Sequence, residues 1–206
     1  MPVSPAGSGP PAPPGTAVPG GLAGSAPARV DARLARRIVV AGVSGAGKTT
    51  LARRIAAVTG VPHTEIDGLH WHAGWTPNPR FAEEVAALAA GSSWVTELQY
   101  RRVIPVLAAR ADLLVWIDPP RRVVLARVVR RTVSRSLRRT ALWHGNLEAP
   151  LRSFLTDPDH IVRWSMRTYA STPDRVRAAL AAGPQLRCVR LRSERDVRRL
   201  LRLLAR

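Results

Sequence analysis

One lysine and one cysteine stand in 206 residues. A single cysteine, Cys188, excludes an intrachain disulfide and fits a reducing compartment, so a cytoplasmic protein is expected. Its neighbours suggest a small buried apolar residue on a strand. No apolar run reaches the roughly 18 residues that a membrane helix needs. Residues 1–29 almost lack charge and consist largely of Pro, Gly, Ala and Ser. They have no basic start and no continuous apolar stretch, so they do not read as a secretory leader. Such a segment cannot bury enough surface to order itself, and a disordered tail is expected there. The chain shows no internal repeat and no helix-turn-helix, zinc-binding or RNA-binding signature.

The remainder, 30–206, reads as one domain with a core, since 46% of the chain is hydrophobic. Acidic residues number only 14 against 32 basic ones, for a net charge of +18. All but one of the basic residues are arginine. Codon usage that favours Arg and Ala explains this. So does a phosphate-rich partner, either nucleotide or nucleic acid.

The lone lysine sits in Gly42-Val43-Ser44-Gly45-Ala46-Gly47-Lys48-Thr49-Thr50. This stretch satisfies G-x-x-x-x-G-K-[ST], and its context matches that motif. Before it, Arg37-Ile38-Val39-Val40-Ala41 reads as a buried strand. After it, Lys48 to Thr59 reads as a helix with Leu51, Ile55 and Val58 on one face and Gly60 as its stop. Glycines let the backbone curl so that several N–H groups point at phosphates, and the helix N-terminus adds its dipole. Lys48 is expected on the β- and γ-phosphates of ATP, and Thr49 on Mg²⁺. A guanidinium would not fit this slot.

Further strands are expected at 61–67, 93–97, 112–117 and 186–191. Helices are expected from Asn78-Pro79 to Gly91, over 100–110 with Pro105 as a flaw, after Asp118-Pro119, after Asp157-Pro158, after Thr172-Pro173 and after Ser193, whose partner in a capping box is Asp196. Alternating strands and helices imply a parallel sheet wrapped by helices.

Three features lie where a ligand would sit. Asp67 ends the expected second strand, and ligands of open α/β sheets bind past the carboxyl ends of strands. It would orient an acceptor hydroxyl, or it is a turn aspartate before glycine. Asp118 ends the 112–117 strand. It would hold the metal or cap the next helix. Residues 121–139, RRVVLARVVRRTVSRSLRR, carry eight arginines. Arg127 and Arg131 fall on one helix face and would stabilise a transferring γ-phosphoryl group. A solvated face or a nucleic-acid patch is the rival reading. His70 and His72, flanked by Trp71 and Trp75, have too few companions for a metal site and suit packing or stacking.

The phosphate loop, Ile66-Asp67-Gly68-Leu69-His70-Trp71, Gly74-Trp75, Trp94-Val95-Thr96-Glu97-Leu98-Gln99-Tyr100, Arg110-Ala111-Asp112 and Trp116-Ile117-Asp118-Pro119-Pro120-Arg121 resemble the adenylate-kinase-like proteins called topology modulation proteins. The resemblance runs from about 37 to about 135. It implies a nucleoside-monophosphate-kinase type of fold, with a five-stranded parallel sheet of order 2-3-1-4-5 and a helical lid at about 131–157. It also implies that Arg127 and Arg131 clamp ATP, with Arg127 against the adenine. The family's usual Asp-Gly-Asn-Tyr is here Glu97-Leu98-Gln99-Tyr100. The expected activity is Mg²⁺-dependent transfer of the ATP γ-phosphoryl group to a nucleotide, nucleoside or other small molecule. A shikimate- or gluconate-type kinase and a nucleotide-regulated DNA-binding protein are the alternatives.

Overall fold

The computed structural model describes residues 35–138, 144 and 169–205. The expected 1–29 tail, the helix after Asp157-Pro158 and most of the expected lid lie outside these residues. Four strands, β1 (Arg37–Ala41), β2 (Trp94–Glu97), β3 (Leu113–Ile117) and β4 (Arg187–Leu191), form a parallel sheet of order β2-β1-β3-β4.

Alternation along the strands sends side chains to two cores. On one face, Ile38, Val40, Val95, Leu113 and Val115 pack against three helices, α1 (Lys48–Thr59), α5 (Arg121–Arg138) and α7 (Glu194–Leu204). On the other face, Val39, Ala41, Trp94, Leu114 and Trp116 meet α3 (Phe81–Ala90), α4 (Ile104–Arg110) and α6 (Thr172–Ala182). A short helix, α2 (Ile66–His70), lies between α1 and α3 in sequence. Hydrophobic area buried on both faces of a sheet is the main stabilising term in such a fold.

The expected strand over 61–67 is not a strand. Its pairing is reduced to a single parallel bridge between His63 and Val95 of β2. Two backbone hydrogen bonds make that bridge, from Val95 N–H to Pro62 O (2.8 Å) and from Thr64 N–H to Val95 O (3.0 Å). Side chains of β2 then take the groups that a strand would use. The Thr96 hydroxyl donates to Thr64 O (2.8 Å), and the Glu97 carboxylate accepts Ile66 N–H (3.0 Å). The chain turns into α2 at that point. The position in the sheet is the one expected for the second strand, so the sheet has four strands rather than five.

Four smaller expectations also change. Asp118 does not cap α5, which begins at Arg121 after Val123 and Val124 N–H bond to Pro120 O. Cys188 lies on a strand as expected, but β4 is an edge strand and the cysteine is exposed. Val58 is 37% exposed, and Ala52 takes its place beside Leu51 and Ile55. Pro105 is no flaw. A 3-10 turn over Arg101–Val103 precedes α4, so the proline stands in the first turn, where no N–H is needed. The Ser193–Asp196 capping box is present at α7.

Candidate active site

The site forms where β1, β2 and the starts of α1 and α2 converge. Residues 42–50 leave β1, curl, and enter α1. Gly47 caps α1 with φ 104°, and no side chain caps the helix. The first N–H groups of α1 therefore face the loop rather than a capping oxygen. Gly45 has φ +83°, and a Cβ there would lie 2.1 Å from Val128 Cγ2 of α5. Only glycine suits that position. The curl closes with Ala46 N–H on Val43 O (3.1 Å).

Lys48 Nζ folds back over the loop and donates to Val43 O at 3.3 Å. Burial pushes its pKa down to about 8, Asp67 and Glu97 pull it up, and Arg175 and Arg131 push it further down. The lysine thus sits in a field of two carboxylates and two guanidiniums. An anion placed there would restore its charge.

Glu97, at the end of β2, is 2% exposed. Its carboxylate accepts Ile66 N–H and faces His63 Nε2 at 3.2 Å, and the Thr49 hydroxyl stands near enough to favour its charged form. Burial raises its pKa, but these hydrogen bonds and the His63 charge outweigh burial, and the carboxyl lies below its ordinary range. Thr49 and Glu97 together present two oxygens beside the phosphate loop, a donor set that suits a hard cation such as Mg²⁺.

Asp67 stands on α2. Its Oδ1 accepts the Tyr100 hydroxyl (2.6 Å) and the Gln99 amide. Two donors on one oxygen fix the carboxylate and leave Oδ2 as the free acceptor among the described residues. Tyr100 is held by this bond and by ring contact with His70, 4.0 Å between centroids. Burial, reinforced by Asp67, drives the Tyr100 pKa far above its ordinary value, so the phenol stays a donor.

On the far side of the loop, Arg127 Nη1 donates to Ala46 O at 2.9 Å. Arg127, Arg130, Arg131 and Ser134 of α5 line an open depression of about 360 Å³. Three guanidiniums around one hollow beside a phosphate loop form a strongly positive recess.

No protein-family model matches the chain. No curated protein matches it either. Solved structures do. Shikimate kinase from Acinetobacter baumannii in complex with shikimate is similar at TM-score 0.51 and 16% identity, over 84% of this chain and 94% of that one. A gluconokinase from Sinorhizobium meliloti 1021 gives TM-score 0.49 and 21% identity, over 84% and 93%. A sugar kinase from Janibacter sp. HTCC2649 gives 0.46 and 21%, over 81% and 90%. The fold is similar to that of this shikimate kinase.

Within this fold, the residues singled out in the sequence divide into two groups. Lys48, Thr49 and Asp67 share one neighbourhood, with Arg131 in electrostatic reach and Arg127 on the loop. Asp118 is held by a different partner. Its carboxylate accepts Arg190 Nε at 2.9 Å, and that guanidinium stacks over Trp116 at 4.2 Å. Among the described residues, no group of three or more His, Cys, Asp or Glu could hold a metal, and His70 packs among Trp71, Phe81 and Tyr100. No helix among the described residues is long and apolar enough to cross a membrane.

Two site residues escaped sequence reasoning. Glu97 was visible only as a departure from a motif. The signal that could have found it is an acid ending the strand next to the phosphate-loop strand. Arg175, on α6, carried no signal in the sequence. Its guanidinium donates to Gln99 O (3.3 Å) and to Thr172 Oγ1 (2.9 Å).

Proposed function

We propose that the protein is an ATP-dependent phosphotransferase that moves the γ-phosphoryl group of ATP to a hydroxyl of a small molecule. The observation that carries this reading is the placement of Lys48 between the phosphate loop and Asp67. One cation then faces both the donor phosphates and a fixed carboxylate on the acceptor side.

In this reading, residues 42–50 cradle the phosphates through backbone N–H groups, and Lys48 contacts the β- and γ-phosphates. Arg127 and Arg131 hold the γ-oxygens as charge spreads over them, and Arg127 borders the adenine. Asp67 Oδ2 accepts the proton of the acceptor hydroxyl. The hydroxyl oxygen bonds to the γ-phosphorus, the bond from that phosphorus to the β–γ bridging oxygen breaks, and ADP leaves with the electron pair. Thr49 and Glu97 would hold Mg²⁺, which when bound neutralises charge between the β- and γ-phosphates. The shared motifs at 42–50, 66–71 and 94–100 support a place among the adenylate-kinase-like topology modulation proteins.

The test is ADP production by the full chain with ATP and Mg²⁺, against nucleoside monophosphates, nucleosides, shikimate and gluconate. Stimulation by one acceptor, abolished in Lys48→Met, is the expected result. ATP binding without stimulation by any acceptor would make the loop a sensor and end the kinase reading.

A further inference from the structure

Arg175 is the charged group at this site that phosphate-loop chemistry does not explain. It sits in the first turn of α6 and is half-buried. Its hydrogen-bond acceptors among the described residues are neutral, the Gln99 carbonyl and the Thr172 hydroxyl. Its Nε is buried with no hydrogen-bond partner. Burial, and after it repulsion from the cation of Arg101, lowers its pKa. A half-buried guanidinium beside a like charge, with no carboxylate among its hydrogen-bond partners in the described residues, is an unfavourable arrangement that an anion would relieve.

Its position shows where the anion would lie. Gln99 joins the two ends of the acceptor side. The Gln99 side chain donates to Asp67 Oδ1, and the Gln99 backbone carbonyl accepts from Arg175. Asp67 and Arg175 are therefore separated by the span of one residue. Both also act electrostatically on Lys48.

We propose that Arg175 is a specificity-determining residue that binds an anionic group of the acceptor, so that the substrate is a small hydroxylated anion rather than a neutral nucleoside or polyol. The hydroxyl faces Asp67 while a carboxylate or phosphate ester, only a few atoms away, engages Arg175 with Arg101 behind it. A planar guanidinium suits either anion, since both accept paired N–H bonds. This inference rests on the kinase reading for the role of Asp67. The anion site itself does not need turnover to be seen.

The experiment is calorimetric titration of inorganic phosphate into the full chain, with the phosphate loop filled by Mg²⁺ and a non-hydrolysable β,γ-imido analogue of ATP. Wild type is expected to bind phosphate, and Arg175→Gln to bind it about tenfold or more weakly. Arg175→Lys should fall between the two, and the affinity for the ATP analogue should not change. Competition then separates the sources. Displacement by hydroxy-carboxylates such as shikimate or gluconate assigns a carboxylate, and displacement by sugar phosphates or nucleoside monophosphates assigns a phosphate ester. Absence of phosphate binding to wild type overturns the proposal. So does equal binding by wild type and Arg175→Gln, or equal displacement by neutral nucleosides and polyols. A melting temperature for each variant reveals a purely structural tie between α6 and Gln99, which would lower stability in both variants and leave the anion preference intact. Failure of the kinase reading looks different, with phosphate bound through Arg175 but no acceptor stimulating ADP release.

Discussion

The hydroxyl of Thr49, in the first turn of α1, stands near the buried carboxylate of Glu97 at the end of β2 and favours its charged form. Neither residue belongs to the other's motif, yet the parallel pairing of β1 with β2 brings them together, Val40 opposite Glu97. Asp118, the acid that ends β3, is engaged by Arg190 instead. The two acids should therefore respond differently to substitution. Glu97→Gln is expected to weaken Mg²⁺-dependent turnover by about 10- to 100-fold, with the loss partly offset at high Mg²⁺. Asp118→Asn is expected to keep its Mg²⁺ dependence and change only stability. Titration of activity against Mg²⁺ in the two variants decides. A shifted Mg²⁺ curve in Asp118→Asn, with none in Glu97→Gln, would reverse the assignment.

Glu97 also predicts an acid limb. Its folded pKa lies below the ordinary carboxyl value of 4.5. The stability it contributes is present above that value and is lost as pH falls through its own lower one. Wild type should lose stability in this range more steeply than Glu97→Gln. Urea denaturation of both proteins at pH 7 and at several points below pH 4.5 measures the difference, and parallel curves would remove Glu97 from the acid limb.

Lys48 gives a signature at the other end of the scale. Its pKa falls from 10.5 to about 8 in the folded protein. Between these values the unfolded chain holds the proton that the folded chain has released, so this group makes stability rise with pH across that window. Lys48→Met is therefore expected to be more stable than wild type at pH 7, by a margin that shrinks towards pH 10. ATP binding restores the charge, so at about pH 8.5 wild type should take up a proton on binding ATP. Calorimetry in two buffers of different ionisation enthalpy reads that uptake. A buffer-independent heat would show that Lys48 is already charged in the free protein.

Much of this site was legible in the sequence, for reasons that differ residue by residue. The phosphate loop announces itself because its function is local, with N–H groups, glycines and lysine all within nine residues. The strand Leu113–Ile117 was legible from its apolar run, since burial on both faces leaves no polar position. The segment 61–67 misled because its fate depends on β2. Thr96 and Glu97, some 30 residues on, capture its carbonyl and N–H and turn it into α2. Asp67 was singled out as the end of a strand, but it stands on α2, where Gln99 and Tyr100 fix it. Arg175 was not legible, because its meaning lies in the packing of α6 beside the end of β2 and not in its own neighbours.

The same fixing of Asp67 predicts a graded series at the acceptor. Asp67→Asn keeps both the shape and the hydrogen-bond acceptor for Tyr100 but cannot take a proton. Its kcat should fall by about 10²- to 10⁴-fold, with little change in the KM for ATP. Tyr100→Phe removes one of the two donors that aim the carboxylate and leaves the base itself. A smaller fall in kcat is expected, with the fold intact because the ring still packs on His70 and Phe81. If Tyr100→Phe costs as much as Asp67→Asn, the hydroxyl itself touches the substrate. If neither changes kcat, Asp67 is only a turn residue.

Gly45 ties the loop to the core, and here two costs can be separated. Its φ of +83° penalises any side chain, and its missing Cβ leaves room for Val128 Cγ2, which would lie 2.1 Å away. Backbone strain contributes about 1–3 kcal/mol and overpacking a further 1–3 kcal/mol or so. Gly45→Ala should therefore be among the more destabilising substitutions in the loop. Val128→Ala removes the methyl that clashes, at the expense of a small cavity in the core. The double variant is expected to be more stable than the sum of the single losses implies, by about 1 kcal/mol or more, because the clash is gone while the strain remains. Urea denaturation of the four proteins measures this coupling. Strict additivity would mean that the loop relaxes away from α5 without resistance. The recess lined by Arg127, Arg130 and Arg131 would then not be held in register with the phosphate loop by Val128, and its alignment would depend on the Arg127 bond to Ala46 alone.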